Sequence, residues 1–346
     1  MAVTAKRFDE MAWANIRKIR SNRDAAFVRD ILQARSDFLR LRMRHIPAIR
    51  KIYVDAADQI AKRLRDLPPT TGKLTRDHLA AIEKELRKEA DKIAQKSEPL
   101  IKRGIKEAFG LGTRPTDNQL MRAVQLAGIK AIDIAKLQRG FADINTSAVG
   151  ALWARTKKGL TVSQRIWNHS RNARDEMLNL IQTGLAAGRD AVKVARDLER
   201  YVRNGARTLA EDYPNMMARM KKRVPNDLCY ETLRLVRSEY SNAFFEGTYS
   251  RGRVNPSYAG VRWMLSDAHE IYDICDELAN ADLYNMGPGV YPAGEEPTYA
   301  HPQCMCFVVP HLQDTEKFIE RLIKWQEDPK SDKDLNEWYN KIYKKM

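Results

Sequence analysis

The sequence predicts a mainly α protein, with elongated helical N-terminal and middle regions and a small α+β, loop-rich Cys/His module near the C-terminus. Three observations lead there. Apolar residues recur at steps of three and four through most of the first 250 positions, the period of a helix with one buried face. Two short runs, Val261–Leu265 and Cys306–Val309, have the texture of strands. Three of the four cysteines (Cys229, Cys275, Cys304, Cys306) fall in the last quarter of the 346 residues.

Residues 1–112 read as a helical hairpin of coiled-coil-like character. Ile49, Ile52, Ala56, Ile60 and Leu64 form one apolar stripe, behind a Pro47 that should kink or interrupt its helix. Leu67-Pro-Pro-Thr-Thr-Gly72 breaks the pattern, and Thr75 suits the N-cap of the next helix. There Leu79, Ile82, Leu86, Ala90 and Ile93 make a second stripe, perturbed by Pro99 and ended by Gly110-Leu-Gly112.

Residues 113–250 read as a helical middle domain. Its first helix, 117–139, is apolar around most of its circumference. Leu160 to Trp167 leads into a helix bearing Met177, Leu178 and Ile181, and Gly184-Leu-Ala-Ala-Gly188 turns the chain. Asp190 can cap a helix with Val194, Ala195, Leu198, Tyr201 and Val202 inward. After a loop through Asn204-Gly205 and Pro214, Asn226-Asp227 opens a helix reaching about Phe244; Arg237 and Glu239 lie on different faces of it. Residues 251–312 form the Cys/His module with its short strands, and 313–346 a C-terminal helix (Thr315–Gln326) and charged tail. That tail carries Trp338, Tyr339 and Tyr343, aromatic enough to dock on a neighbour.

Charge divides the chain. Residues 1–250 hold 49 Lys and Arg against 29 Asp and Glu, a net of +20, whereas residues 251–346 hold 11 against 16, a net of −5. Between Arg262 and Lys317 there are ten acidic side chains and no Lys or Arg. A basic body attracts phosphate-rich or acidic surfaces, and equally solvates the outer faces of helices. No run of 18 apolar residues exists, and Met1–Arg20 is charged where a secretory signal needs an apolar core. The expectation is a soluble protein made in a cytoplasm.

The chemistry-bearing residues cluster late. Asp267-Ala-His-Glu-Ile-Tyr-Asp-Ile-Cys-Asp276 and His301-Pro-Gln-Cys-Met-Cys306 supply two imidazoles, His269 and His301, and three thiols, Cys275, Cys304 and Cys306. A hairpin would bring the two segments together. Sulfur and imidazole donors in that number suit tetrahedral zinc, which locks small modules whose apolar core is thin. With no Lys or Arg in the segment, nothing repels a divalent ion. The same residues also suit a metal-free clamp, the reduced cysteines packing as small apolar groups. His-Glu-x-x-His, Gly-x-Ser-x-Gly, Walker and dinucleotide fingerprints are all missing, so no catalytic residue is assigned.

One ordered series of motifs runs from about residue 159 to residue 310. It comprises Gly159-Leu-Thr-Val-Ser-Gln-Arg-Ile-Trp167, Gly184-Leu-Ala-Ala-Gly188, Ala195-Arg-Asp-Leu198, Arg234-Leu-Val-Arg-Ser-Glu239, Trp263-Met-Leu-Ser-Asp-Ala-His269, Asp273-Ile-Cys-Asp-Glu-Leu-Ala279, Gly289-Val-Tyr-Pro292 and Pro297 to Cys306. The series resembles the phage minor head proteins, the phage-Mu-F-like head morphogenesis family, and its His-Pro-x-Cys-x-Cys element is the most specific part. Many members carry Arg between the cysteines where this chain has Met305, a departure that takes the position out of charge recognition. The resemblance covers a little under half of the chain.

What the resemblance implies is a minor capsid protein of a tailed bacteriophage. Such a protein is a low-copy structural component at or near the portal vertex, made in the host cytoplasm and built into the virion head. Implied partners are the portal protein and the major capsid protein, with no membrane, and Arg237, Glu239, Trp263, Asp267 and Asp273 are implied structural motif residues. The basic excess adds nonspecific contact with packaged double-stranded DNA. Some relatives carry a toxin or enzyme domain beyond the cysteines; only 40 residues follow Cys306, so none is expected here. Two alternatives stay open: a basic nucleic-acid-binding protein acting outside the virion, and a metal-dependent enzyme.

Overall fold

The structure, a computed structural model, describes residues 25–67, 76–204, 228–266, 269, 272–301 and 304–346. The expected Thr75 cap, the Asn226-Asp227 helix start, the loop through Gly205 and Pro214, and Asp267 lie outside them. The described chain is mainly helical, with a small three-stranded antiparallel sheet near the C-terminus. It divides into two compact units, one of residues 1–42, 104–152 and 237–346, the other of residues 43–103 and 153–236. Helices α1 (Ala25–Arg65) and α2 (Arg76–Leu126) contribute residues to both.

In the second unit the apolar stripes foreseen on α1 and α2 are buried. Ile49, Ala56, Ile60, Leu64, Ile82, Leu86 and Ile93 are almost wholly withdrawn from solvent. α1 runs on through Pro47 rather than stopping there. One lost hydrogen bond, costing about 3 kcal/mol, is outweighed by the burial of the side chains that follow. α4 (Val162–Ala186) starts at Thr161, whose side chain accepts from Gln164 N while Gln164 reaches back, a capping box. Gly188, at φ +76, makes the turn, and Asp190 Oδ1 accepts from Lys193 N at 2.8 Å to start α5 (Ala191–Asn204). Trp167 Nε1 donates to Glu98 at 3.0 Å and Tyr201 to Glu176 at 2.8 Å.

In the first unit α1 and α2 run antiparallel, as the pairs Asp30–Arg122 (2.6 Å) and Asp37–Arg114 (2.5 Å) fix. Here two expectations are corrected. α2 passes through Gly110 and Gly112 without ending. Gly112 serves helix packing instead, because a Cβ there would overlap the Phe244 carbonyl of α6 (Tyr230–Gly252), and one at Gly247 would overlap Phe109 O. The helix expected over 117–139 is broken at 127–133. Gly128 sits at φ +63, Ile129 N donates to Val124 O and Gly128 N to Gln125 O, the Schellman pattern that closes a helix. α3 (Ile134–Ala154) then begins afresh.

The sheet has the order β2-β1-β3, from β1 (Tyr258–Met264), β2 (Val290–Pro292) and β3 (Phe307–Leu312). Trp263 on β1 is buried edge-on against Phe245 of α6, their ring centres 5.3 Å apart. α7 (Ile274–Asn280) lies between β1 and β2 in sequence, and α8 (Thr315–Glu327) and α9 (Lys333–Lys341) follow β3. Trp338 and Tyr343 of the tail are core residues of this same unit. They pack with Leu120, Phe141, Phe318, Leu322 and Trp325, and Trp338 Nε1 donates to Val254 O at 2.8 Å.

Candidate metal centre

The register of the sheet assembles the site. Met264 pairs with Phe307, so the chain leaving β1 and the chain entering β3 emerge side by side at one end of the sheet. Ser266 N accordingly lies 3.5 Å from Cys306 Sγ, to which it donates. Gly289 ties α7 to the same end, accepting from Trp263 N and donating to Ala281 O, both at 2.8 Å. It does so at φ +71, where a Cβ would sit 2.7 Å from Ala279 O; only glycine fits.

α7 then presents Cys275 from its first turn. Asp273 is its N-cap, accepting from Cys275 N at 2.7 Å, and Asp276 accepts from Asp273 N at 2.8 Å. Cys275 Sγ is 3.4 Å from Cys304 Sγ and 3.4 Å from His301 Nε2. His301 Nε2 is also 3.2 Å from Asp273 Oδ2, and His269 Nε2 is 2.7 Å from Asp276 Oδ2. Cys275, Cys304 and Cys306 are all at most 2% exposed.

Three groups of described residues bring their donor atoms within 4.8 Å of one another, close enough to hold a metal ion. They are His269–Cys275–Cys306, Cys275–His301–Cys304 and His269–Asp273–Asp276. All five donors singled out in the sequence therefore converge, with Cys275 common to both thiol groups. Cys229 is buried in the other unit and belongs to none of these groups.

The electrostatics favour one thiolate already in place. The hydrogen bond from Cys304 lowers the Cys306 thiol to about 6, helped by the Ser266 N–H. Cys304 moves up, because it holds the shared proton and is buried, and burial pushes Cys275 up. The hydrogen bond to Asp276 raises His269, and the same bond lowers Asp276.

No family model, curated protein or solved structure gives a significant match to the chain.

One expectation about charge is corrected at this site. The absence of Lys and Arg from residues 263–316 was expected to leave no cation beside the donors, yet α1 supplies two. Arg35 Nη2 donates to Met305 O at 2.7 Å, and its guanidinium lies 4.3 Å over the Phe307 ring. Arg42 Nη1 contacts Met305 Sδ at 2.6 Å. Position 305, set aside for lacking an arginine, is thus where two guanidinium groups meet the Cys-Met-Cys segment. Both arginines lie more than 260 residues away in sequence, and nothing in their own surroundings signals the contact.

Of the motif residues, Asp273 is part of the site and Trp263 anchors the adjoining strand. Glu239 is buried on α6, and Arg237 stands near enough to Arg42 to disfavour its charge. Burial, the larger cause, takes Arg42 down to about 10, so it stays a cation at neutral pH. Ser266 and Asp276 stand in the quoted runs but were not singled out as site residues, although the capping spacing of Asp273 and Asp276 was there to be seen.

Proposed function

We propose that the chain is a minor capsid and head morphogenesis protein of a tailed bacteriophage, and that its C-terminal module is a zinc-locked docking unit with no reaction to perform. The observation that carries the metal part is the spacing of the donors. Zinc with Zn–S of about 2.3 Å and Zn–N of about 2.05 Å at a tetrahedron's corners sets S···S near 3.8 Å and S···N near 3.6 Å. Cys275 stands 3.4 Å from both Cys304 Sγ and His301 Nε2, so a small outward shift admits the ion.

Cys275, Cys304, Cys306 and His301 are the four ligands in this reading. His269 is held instead by Asp276, bracing the loop against α7. Four side-chain donors fill the coordination shell, which suits a structural site and leaves no open position for a substrate. When bound, the metal holds deprotonated sulfur in place and fastens α7 to the start of β3.

The assembly role is supported by the motif series that ends in this knot, and by the charge division between a basic body and an acidic module. In this reading the portal protein and the major capsid protein are the partners and the location is the virion head. The basic body touches packaged DNA without sequence preference, in a manner weakened by salt. No described helix is long and apolar enough to cross a membrane.

Two experiments test the reading. Elemental analysis of the purified protein is expected to give one zinc per chain, lost in Cys304→Ser. Mass spectrometry of purified particles is expected to find the polypeptide at a few copies per head; its absence from infectious particles overturns the assembly role.

A further inference from the structure

The basic excess of the chain belongs to one unit. Residues 43–103 and 153–236 carry 32 Lys and Arg against 18 Asp and Glu, a net of +14, which leaves +1 for the other unit. Within the basic unit the cations of α2 differ in what stands beside them. Arg87, Lys88 and Lys92 each pair with a glutamate about one turn away, Glu83, Glu85 and Glu89. Lys102 and Arg103, exposed further along the helix, have no carboxylate partner among the described residues.

The fold brings two more such cations to the same place. Lys102 Nζ lies 5.4 Å over the ring of the half-buried Trp153. One turn before Lys102, Glu98 accepts from Ser163 Oγ at 2.9 Å and from Trp167 Nε1 at 3.0 Å, so both its oxygens are engaged. Trp153 and Ser163 therefore hold the two ends of the link between α3 and α4 against one stretch of α2. That link is a tight turn: Lys157 N donates to Leu160 O at 2.9 Å, and Leu160 N to Lys157 O at 3.2 Å. Its central residues are Lys158, at φ +53, and Gly159, at φ +75. Turns of this kind favour Asn, Asp or Gly at the first central position, and a lysine there is strained. Lys157 and Lys158 are exposed, again with no carboxylate partner among the described residues. The strained lysine gains no packing in return; its effect is to hold an ammonium in solvent beside three other unpaired cations.

We propose that Lys102, Arg103, Lys157 and Lys158 form a phosphate-binding corner that holds the backbone of double-stranded DNA. This deepens the DNA contact proposed above and rests on it, assigning the contact to the second unit and to the turn between α3 and α4. Four like charges without counter-charges repel one another, and a row of phosphates relieves that repulsion. The ring of Trp153 carries the Lys102 ammonium, so the corner offers charge to a backbone rather than a stacking face to a base. Lys and Arg contacts to phosphate carry no sequence information, and binding is indifferent to base order.

The full-length protein is titrated into a short fluorescent duplex over a series of salt concentrations, with anisotropy as the readout and urea unfolding in parallel. Lys157→Gln with Lys158→Asn is expected to weaken binding and to reduce the slope of log affinity against log salt by about 2, the loss of two phosphate contacts. The same double variant should be no less stable than wild type, because asparagine suits the left-handed position that lysine strains. Lys88→Gln with Lys92→Gln removes as much charge from cations already paired, and should leave the slope within error. A duplex of scrambled sequence should bind equally.

An unchanged slope in the turn variant overturns the proposal, and so does an equal drop in both double variants, since the attraction would then be spread over the whole unit. A single strand bound more tightly than the duplex overturns it by making Trp153 a stacking platform. Displacement of the duplex by polyglutamate at equal charge overturns it in favour of an acidic protein surface. A wild-type protein that binds no duplex even at low salt overturns the DNA contact itself, an outcome distinct from all of these.

Discussion

Withdrawing zinc from the knot should lower the melting temperature of the unit that carries it by about 8–16 °C. The unit comprises about 200 residues. An ion held at a thousand times its dissociation constant adds about 4.1 kcal/mol to the folded state. Domains of about 150–250 residues shift by roughly 2–4 °C for each kcal/mol. Cys275 is the donor shared by both thiol groups, so Cys275→Ser is the sharpest genetic equivalent of chelation. Calorimetry with and without chelator, in reducing buffer, gives the comparison. Wild type should show the full difference; Cys275→Ser should melt at one temperature in both conditions, at or below that of stripped wild type. Cys229→Ser, in the other unit, should keep the difference. A wild-type transition indifferent to chelator would show that the knot is a hydrogen-bonded clamp, refuting the metal lock.

Three further outcomes are expected. His301→Asn should lose stoichiometric zinc by elemental analysis while His269→Asn keeps it; the reverse pattern would reassign the fourth ligand. Gly289→Ala should destabilise the first unit and weaken zinc binding together, because its Cβ would meet Ala279 O and shift α7 from the end of β1; unchanged urea unfolding would contradict this. His169 of α4 is half-buried, with Nδ1 withdrawn from solvent and unpaired among the described residues, and burial, with Arg165 and Arg234 adding, lowers it to about 4 from the usual 6.5. The folded state therefore keeps this imidazole neutral while the unfolded state charges it. Its contribution is whole above about pH 6.5 and is lost as pH falls towards 4, about 2 kcal/mol by pH 5. Urea unfolding at pH 7 and pH 5 should show that loss shrink in His169→Gln.

Much of the helical part was legible because its cause is local. The stripes Ile49–Leu64 and Leu79–Ile93 state which face is buried, and Asp190 states where a helix starts. The errors came where a local signal met a distant partner. Gly112 reads as a helix end until Phe244 is laid against it, and of the two readings of Pro47, a kink or an interruption, the interruption gives way to the burial of Ile49, Ala56 and Ile60.

The candidate site divides the same way. Residue type alone named its donors: thiols and imidazoles within about 40 residues, in a stretch with no competing base, mark metal chemistry wherever the chain puts them. The register of Met264 with Phe307, the glycine at 289 and the cap at Asp273 determined that they meet. The two guanidinium groups at Met305 belong wholly to tertiary structure, since nothing in α1 distinguishes Arg35 and Arg42 from the many other basic residues of that region. A sequence carries its periods and its chemical kinds in plain order. Which charge ends beside which sulfur depends on contacts that close across more than 260 residues, and packing alone decides them.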